Sequence, residues 1–237
     1  MEEIVNHLGQ PIGFPVPNWS PRTRPPRTAM EGRLCKVVPL DIEQHAHDLY
    51  QANIEDKEGR MWTYLMYGPF RNFEDYLAQM NKWLSEDWCI HAILDWKTGR
   101  AVGLASYMRV EPDAGSIEVG AIMYSPHLQR TTAGTEAMYL MMKRAFDELG
   151  YRRYEWRCNA LNEASRKAAR RLGFQFEGVF RQSGITKGRN RDTAWFSILD
   201  REWPVIKIAL ESWLARENFD SNGNQIKTLG QLMCQKV

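Results

Sequence analysis

The sequence predicts an α/β (α+β) fold, a mixed, mostly antiparallel sheet of six to seven strands with helices on both faces. Three observations predict it. Strand-like runs at 88–96, 101–110 and 116–124 follow one another with Gly- and Pro-marked turns between them, the pattern of an antiparallel meander. The hydrophobic period then lengthens, with Ala137, Met138, Met141, Met142, Ala145, Phe146 and Leu149 recurring at helical spacing. A further strand at 152–158 gives one strand–helix–strand crossover, which argues against a doubly wound parallel sheet.

The elements can be justified in order. Residues 1–31 form a proline-rich, extended N-terminal segment, because Pro11, Pro15, Pro17, Pro21, Pro25 and Pro26 prevent regular helix and remove ladder donors. Its basic stretch Arg22-Thr-Arg24-Pro-Pro-Arg27 could be an RNA-binding arm. Without an aromatic or glycine repeat, an extended strap on the domain surface is the simpler reading. A main domain spans 32–219, starting with a short strand in 33–39. Asp41 is a plausible N-cap for a helix through about Asn53. Asn72 or Glu74 starts a second helix through Leu84, with Phe73, Tyr76, Leu77, Met80 and Leu84 on one face.

After the meander, Gly150 closes the methionine-rich helix. Asn162 can cap a helix through Leu172, ended by Gly173. Residues 174–181 and 193–199 read as strands around the polar turn 187–191, and 203–218 as a terminal helix. Residues 220–237 read as a loose tail.

Composition narrows the function classes. At 237 residues the chain can bury a large core without staples, and 43% hydrophobic with 25% charged residues is the mix of a soluble globular protein. A net charge of +2 compels neither a nucleic-acid nor a membrane partner. Cys35, Cys89, Cys158 and Cys234 are far apart with no CxxC pair, which reads as reduced thiols in a cytoplasmic protein. No apolar leader follows Met1, and no run approaches a membrane span. The histidines lack metal spacing, so no metal is expected; His127 alone lies beside the segment described next. Assembly as a homodimer is left open.

The segment that carries chemistry runs from Ser116 to Ala137. A strand leads through a short loop into a helix whose first turn, Thr132-Ala-Gly-Thr135, is small and polar. Free N–H groups at such a start form an anion site that a phosphate can approach closely. Downstream, Asn162-Glu-Ala-Ser165 is followed by Arg170-Arg-Leu-Gly-Phe174 and Glu177-Gly178.

Together these motifs resemble the GNAT superfamily of acyl-CoA-dependent N-acetyltransferases, and within it the branch that acetylates ribosomal-protein N termini. The family's pyrophosphate loop, Gln/Arg-x-x-Gly-x-Gly/Ala, is matched at both ends by Gln129-Arg-Thr-Thr-Ala-Gly134 and continued by Glu136-Ala137. Thr132 departs from it, standing where the family has its first glycine; ordinary helical φ/ψ is expected there. The branch's Asn-x-x-Ser before Leu-Gly-Phe is found at Asn162, Ser165 and Leu172 to Phe174. The resemblance covers about 32–213.

The resemblance implies acetyl-CoA as co-substrate and a small-molecule or peptide amine as acceptor. It implies that Met123 and Tyr124 lie beside the pantetheine arm, where a backbone N–H holds the oxyanion. It further implies that Gln129, Arg130, Thr131, Thr132, Ala133, Gly134 and Thr135 cradle the pyrophosphate, that Asn162 bonds the pantetheine, and that Ser165 stabilises the departing thiolate. Lys167 or Arg166 would meet the adenosine phosphates.

Glu118 matches a glutamate that serves as base in histone-acetylating relatives. A base is needed because an aliphatic ammonium has a pKa of about 10. Pairing with a neighbouring arginine on the sheet explains Glu118 equally well, and simple capping is the alternative for Asn162 and Ser165. On the acceptor side, Trp62, Tyr64, Tyr67 and Phe70 form an aromatic stretch that either walls the acceptor or packs its own loop onto the sheet. The basic turn 187–191 either meets an anionic acceptor group or is a solvated hairpin tip. Rival functions are transfer from another acyl-CoA such as succinyl-CoA, a non-catalytic CoA-binding module, and an RNA-associated protein using the Arg22–Arg27 arm.

Overall fold

The computed structural model describes residues 4–234; the first three and last three residues, at the ends of the predicted N-terminal segment and tail, lie outside the described residues. In chain order the elements are β1 (Ile4–Val5), β2 (Pro11–Ile12), β3 (Met30–Glu31), β4 (Cys35–Pro39), α1 (Ile42–Asn53), α2 (Phe73–Leu84), β5 (Cys89–Asp95), β6 (Ala101–Glu111), β7 (Ser116–Tyr124), α3 (Thr132–Lys143), β8 (Arg153–Asn159), α4 (Glu163–Arg171), β9 (Gln175–Thr186), β10 (Arg189–Leu199), α5 (Trp203–Leu214) and α6 (Leu229–Cys234). A π turn at Arg144–Glu148 extends α3, and a 3-10 turn at Arg60–Trp62 sits between α1 and α2.

The main sheet has the order β3-β4-β5-β6-β7-β8-β10-β9. Only β7 and β8 are parallel, because α3 crosses over between them; every other neighbouring pair is antiparallel. This is the mixed, mostly antiparallel sheet the sequence predicts, but with eight strands in place of six to seven. The extra strand is β3, whose two residues pair with β4 through Met30↔Val37 and Glu31↔Lys36. A separate two-residue pair, β1–β2, also lies within the proline-rich segment. Strands this short leave no period to read.

Local chemistry starts the helices. Asp41 and Asn72 accept from the N–H of Gln44 and Asp75, capping α1 and α2. The apolar faces of these two helices pack on one side of the sheet, with Leu49, Tyr76, Met80 and Trp83 against Ile90, Ala92, Leu104 and Met123. On the other side α3 and α5 cover Val37, Tyr107, Ile117, Val119 and Tyr154 with Met138, Met141, Met142, Ile206 and Leu210. Burial of this kind contributes about 25 cal/mol per Å² of apolar surface.

Two further expectations are corrected. Residues 220–234 of the predicted tail are not loose. Asn218 donates to the carbonyls of Trp213 and Lys227 and accepts from the Lys227 N–H, which folds the chain back so that Leu229 of α6 is buried against α5. The turn at 187–191 is also shorter than predicted, since β9 and β10 pair as far as Thr186↔Arg189 and leave only Lys187 and Gly188 between them.

Residues 19–29 run over the surface as an extended strap. Trp19 donates to the Asp113 carbonyl, Arg24 grips Asp87 with two bonds of 3.0 Å, and Arg144 donates to the carbonyls of Thr28 and Ala29. Arg24 is thereby engaged with its own domain.

Candidate functional site

The site begins with an interruption in the sheet. Along β6 and β7 the register runs Gly103↔Tyr124, Leu104↔Met123 and then Ser106↔Gly120. Ala121 and Ile122 therefore stand opposite the single residue Ala105, a β-bulge with Ala121 at φ 48°. On its other side β7 pairs with β8 only from Ser116↔Arg153 to Val119↔Trp156. Beyond that both strands continue, to Tyr124 and to Asn159, without a shared ladder. The backbone of β7 from Gly120 onward thus faces a gap on the β8 side, with unpaired donors and acceptors.

This edge runs into the loop before α3. The Gln129 side chain donates to the Tyr124 carbonyl at 2.7 Å, and the Ser125 carbonyl accepts from the N–H of Leu128 and of Gln129. Thr131 caps α3, its hydroxyl accepting from the Gly134 N–H at 3.0 Å. Among the described residues the N–H groups of Arg130, Thr132 and Ala133 have no protein acceptor. They form a cluster of donors at the positive end of α3. Gly134 is needed for close packing, since a Cβ there would stand 2.7 Å from the Leu128 carbonyl oxygen and 3.0 Å from the Tyr124 ring. Thr132 opens α3 with no left-handed φ; the residue that turns the loop is Arg130, at φ 59°. No glycine marks that turn, so the sequence carries no sign of it.

Glu136 has a different role from its loop neighbours. Buried at 5% exposure, its carboxylate accepts the N–H of Arg33, Leu34 and Cys35 at 2.6–3.0 Å. It therefore binds the start of β4 to α3. Burial and the adjacent carboxylate push the Cys35 thiol far above its ordinary range.

Glu118 lies on the α1/α2 face of β7, with a side chain 4% exposed. Its Oε2 accepts from Arg109 Nη1 at 2.8 Å and lies 2.9 Å from Arg157 Nε, the latter a close ion contact in which the N–H is not aimed at the oxygen. Its Oε1 has no protein donor among the described residues. That oxygen leans over Gly120 toward the bulge, where a Cβ would come within 3.0 Å of it. Burial raises the Glu118 pKa, opposed by the positive charges of Arg109 and Arg157 and assisted by the negative charge of Glu155. Arginine pairing and a free basic oxygen thus coexist on one carboxylate.

Asn162 caps α4, its side chain accepting from the Ser165 N–H at 3.1 Å. The Ser165 hydroxyl accepts from the Trp156 indole at 2.9 Å and lies within hydrogen-bonding reach of the buried Cys158 thiol. Trp156 points to the α3 face of the sheet and Glu118 to the opposite face. The structure therefore does not bring Ser165 and Glu118 into contact; they share only the gap between β7 and β8. Met123 is buried under α1 and α2, and the Tyr124 hydroxyl donates to the Gly134 carbonyl at 2.9 Å. Lys167 is 74% exposed, with Glu163 4.0 Å away, and Arg166 donates to the Ala160 carbonyl. His127 pairs with Glu55 at 2.8 Å.

In the aromatic stretch between α1 and α2, Trp62, Tyr67 and Phe70 pack among themselves and onto α2. Trp62 meets Phe70 at 5.2 Å, Tyr67 meets Trp83 at 4.7 Å, and Phe70 meets Tyr76 at 5.2 Å between ring centres. Tyr64 is half-buried and takes no part in these ring pairs. The hairpin tip is not simply solvated, because Lys187 Nζ donates to the Trp62 carbonyl at 2.7 Å and ties β9–β10 to the aromatic loop. Arg109, Arg157 and this Lys187 bridge escape sequence reasoning, since each depends on cross-strand register or on a contact 125 residues away.

Among the described residues no group of three or more His, Cys, Asp and Glu is arranged to hold a metal, and no helix is long and apolar enough to cross a membrane.

Comparison with known proteins agrees with the fold. Residues 36–175 match the acetyltransferase (GNAT) domain family. The chain is 43% identical to a GCN5-related N-acetyltransferase from Brucella melitensis, with a TM-score of 0.90 over 92% of this chain and 99% of that one. A probable acetyltransferase (GNAT family) from Chromobacterium violaceum ATCC 12472 is 38% identical, with a TM-score of 0.77 over 82% of this chain and 98% of that one. An uncharacterized N-acetyltransferase, p20, from Bacillus licheniformis is 29% identical over 112 residues, which span 47% of this chain and 62% of that protein.

Proposed function

The chain belongs to the GNAT acetyltransferase family, and from that premise we propose that it moves an acetyl group from acetyl-CoA to a primary amine, at a protein N terminus or on a small molecule, by direct attack. The observation that carries this reading is the bulged edge of β7, parted from β8 after Val119 and leading into the free N–H groups of Arg130, Thr132 and Ala133. An unpaired strand edge suits the amides of a pantetheine arm, and clustered N–H groups at a helix start suit a pyrophosphate. Gln129 to Thr135 hold the pyrophosphate in this reading, and Met123 and Tyr124 offer backbone groups to the arm.

Acetyl-CoA supplies an activated acyl carbon. The chain's own residues do the rest. An N–H at the β7 bulge faces the gap and stabilises the negative charge that develops on the carbonyl oxygen. Glu118 Oε1 accepts a proton from the acceptor ammonium, directly or through a water, which frees the nitrogen lone pair. The amine nitrogen forms the new C–N bond, the C–S bond breaks, and the thiolate leaves. Ser165 donates a hydrogen bond to that thiolate; the attacking nitrogen then gives up its second, now acidic, proton, which neutralises the thiolate, and the proton first taken by Glu118 passes to solvent.

The test is CoA release across an amine panel, run with acetyl-CoA and with succinyl-CoA. The proposal expects turnover with acetyl-CoA that depends on the amine. Faster turnover with succinyl-CoA would reassign the acyl group. Acetyl-CoA binding without release for any amine would point to a CoA-binding module.

A further inference from the structure

We propose that the acceptor is a small zwitterionic amine, whose ammonium sits on Glu118 Oε1 and whose carboxylate is taken by Arg109. The inference rests on the acetyltransferase reading and names the acceptor class for the same site.

The argument starts from a chain of alternating charges across the sheet. Arg109 contacts Glu118, Glu118 contacts Arg157, Arg157 contacts Glu155, Glu155 contacts Arg153, and Arg153 holds Glu177 with two bonds of 2.6 and 2.8 Å. Three arginines balance three glutamates. An ammonium added alone at Glu118 would leave one uncompensated charge in a poorly solvated place, which is costly. An ammonium that brings its own anion leaves the balance intact.

The chain has one open end. The side chains of Arg157 and Arg153 are 19% and 26% exposed, and the Arg157 guanidinium carbon sits over Trp195, 3.5 Å from the ring centre. Arg109 is 51% exposed, and among the described residues only its Nη1 is engaged. The remaining guanidinium N–H groups are available in the fork geometry that matches a carboxylate.

The backbone aims Arg109 at this place. Met108 stands opposite Glu118, so in a regular strand the next side chain would point to the other face of the sheet. Between Met108↔Glu118 and Glu111↔Ser116, however, β6 has one residue more than β7, and Arg109 adopts φ 42°. A bulge at a non-glycine residue with left-handed φ re-aims the side chain. Here it turns Arg109 back toward Glu118.

Beyond Arg157 the same face of the sheet is aromatic. Trp195 carries Arg157 on its ring, and Phe180 packs on Trp195 at 4.6 Å between ring centres. Phe180 also borders a hollow of about 660 Å³ with Arg181, Gln182 and Ser183.

The experiment measures kcat/KM at saturating acetyl-CoA for free α-amino acids and for their carboxamides, which keep the amine and side chain but lose the anion. The expected result is a preference for the carboxylate form of about tenfold or more, carried mainly by KM. In Arg109→Gln that ratio falls to near one, and in Arg109→Lys it is partly kept. The ratio cancels any effect common to both substrates through Glu118. Unfolding midpoints and acetyl-CoA binding of both variants verify that they fold. Equal use of the two forms, a preference for peptide N termini, or a ratio unchanged in Arg109→Gln would overturn the inference while leaving the acetyltransferase reading intact. No acetylation of any amine overturns both.

Discussion

Gly120 leaves open the space into which Glu118 leans: a Cβ at Gly120 would lie 3.0 Å from Glu118 Oε1 and 2.6 Å from Met108 Sδ. The methionine end can yield, but the carboxylate oxygen is held from behind by Arg109 and Arg157. Gly120→Ala should therefore displace the basic oxygen by a fraction of an ångström. A drop in kcat of about tenfold is expected with unchanged acetyl-CoA affinity, since small misplacements of catalytic groups are costly. Steady-state kinetics beside a calorimetric titration checks this, and equal losses in both would mean that the substitution disturbs the whole gap.

Glu118→Gln tests the base itself. Loss of a positioned proton acceptor typically reduces turnover by about 10²–10⁴-fold, while acetyl-CoA binding should stay as in the parent. A full-rate Glu118→Gln enzyme would remove Glu118 from the mechanism and leave it as a link in the ion-pair chain.

The pH profile follows from the raised pKa of Glu118, caused first by burial. The acidic limb of kcat/KM should lie above the ordinary carboxylate value, and activity should fall as pH drops through it. Arg109 holds that pKa down, so Arg109→Gln should move the limb to higher pH. In stability the sign is opposite. The folded state keeps a proton that the unfolded chain has already released, so this group's contribution is present below the unfolded pKa and lost as pH rises through the folded one. Unfolding midpoints of the parent and Glu118→Gln should run together on the acidic side of that window, where both side chains are neutral, and separate on the alkaline side as the parent alone loses stability.

Glu136 predicts a purely structural loss. Glu136→Ala removes the acceptor of three N–H groups at Arg33 to Cys35 and should cost at least about 2 kcal/mol. Gly32→Ala should also destabilise, because its Cβ would collide with the Glu136 carboxylate. Thermal unfolding without ligand measures both, and midpoints equal to the parent's would show that water replaces the carboxylate.

The sequence made part of this site legible and hid the rest for identifiable reasons. Period and punctuation locate α1 to α5 and β4 to β10, because each buries a face long enough to leave a pattern. The two-residue β3 and the short α6 leave none. The loop proposed to hold the pyrophosphate is legible because its small residues are contiguous, from Thr131 to Thr135. Arg109 and Arg157 are not, because they reach Glu118 through register across two different strands and a bulge at non-glycine residues. Trp62, Tyr67 and Phe70 stand out in the sequence, yet in the fold their rings are spent on α2 and on one another, leaving Tyr64 as the aromatic outside that cluster.

The most direct test of the central claim is calorimetric titration of acetyl-CoA into the parent protein and into Gly134→Ala. The claim predicts saturable one-to-one binding to the parent and binding weakened by about tenfold or more in Gly134→Ala, where a Cβ forces the loop from Leu128 and Tyr124. It predicts equally that saturating acetyl-CoA raises the parent's unfolding midpoint, by about 2.7 kcal/mol of stabilisation at a hundredfold excess over Kd. No heat and no stabilisation with the parent protein would contradict it.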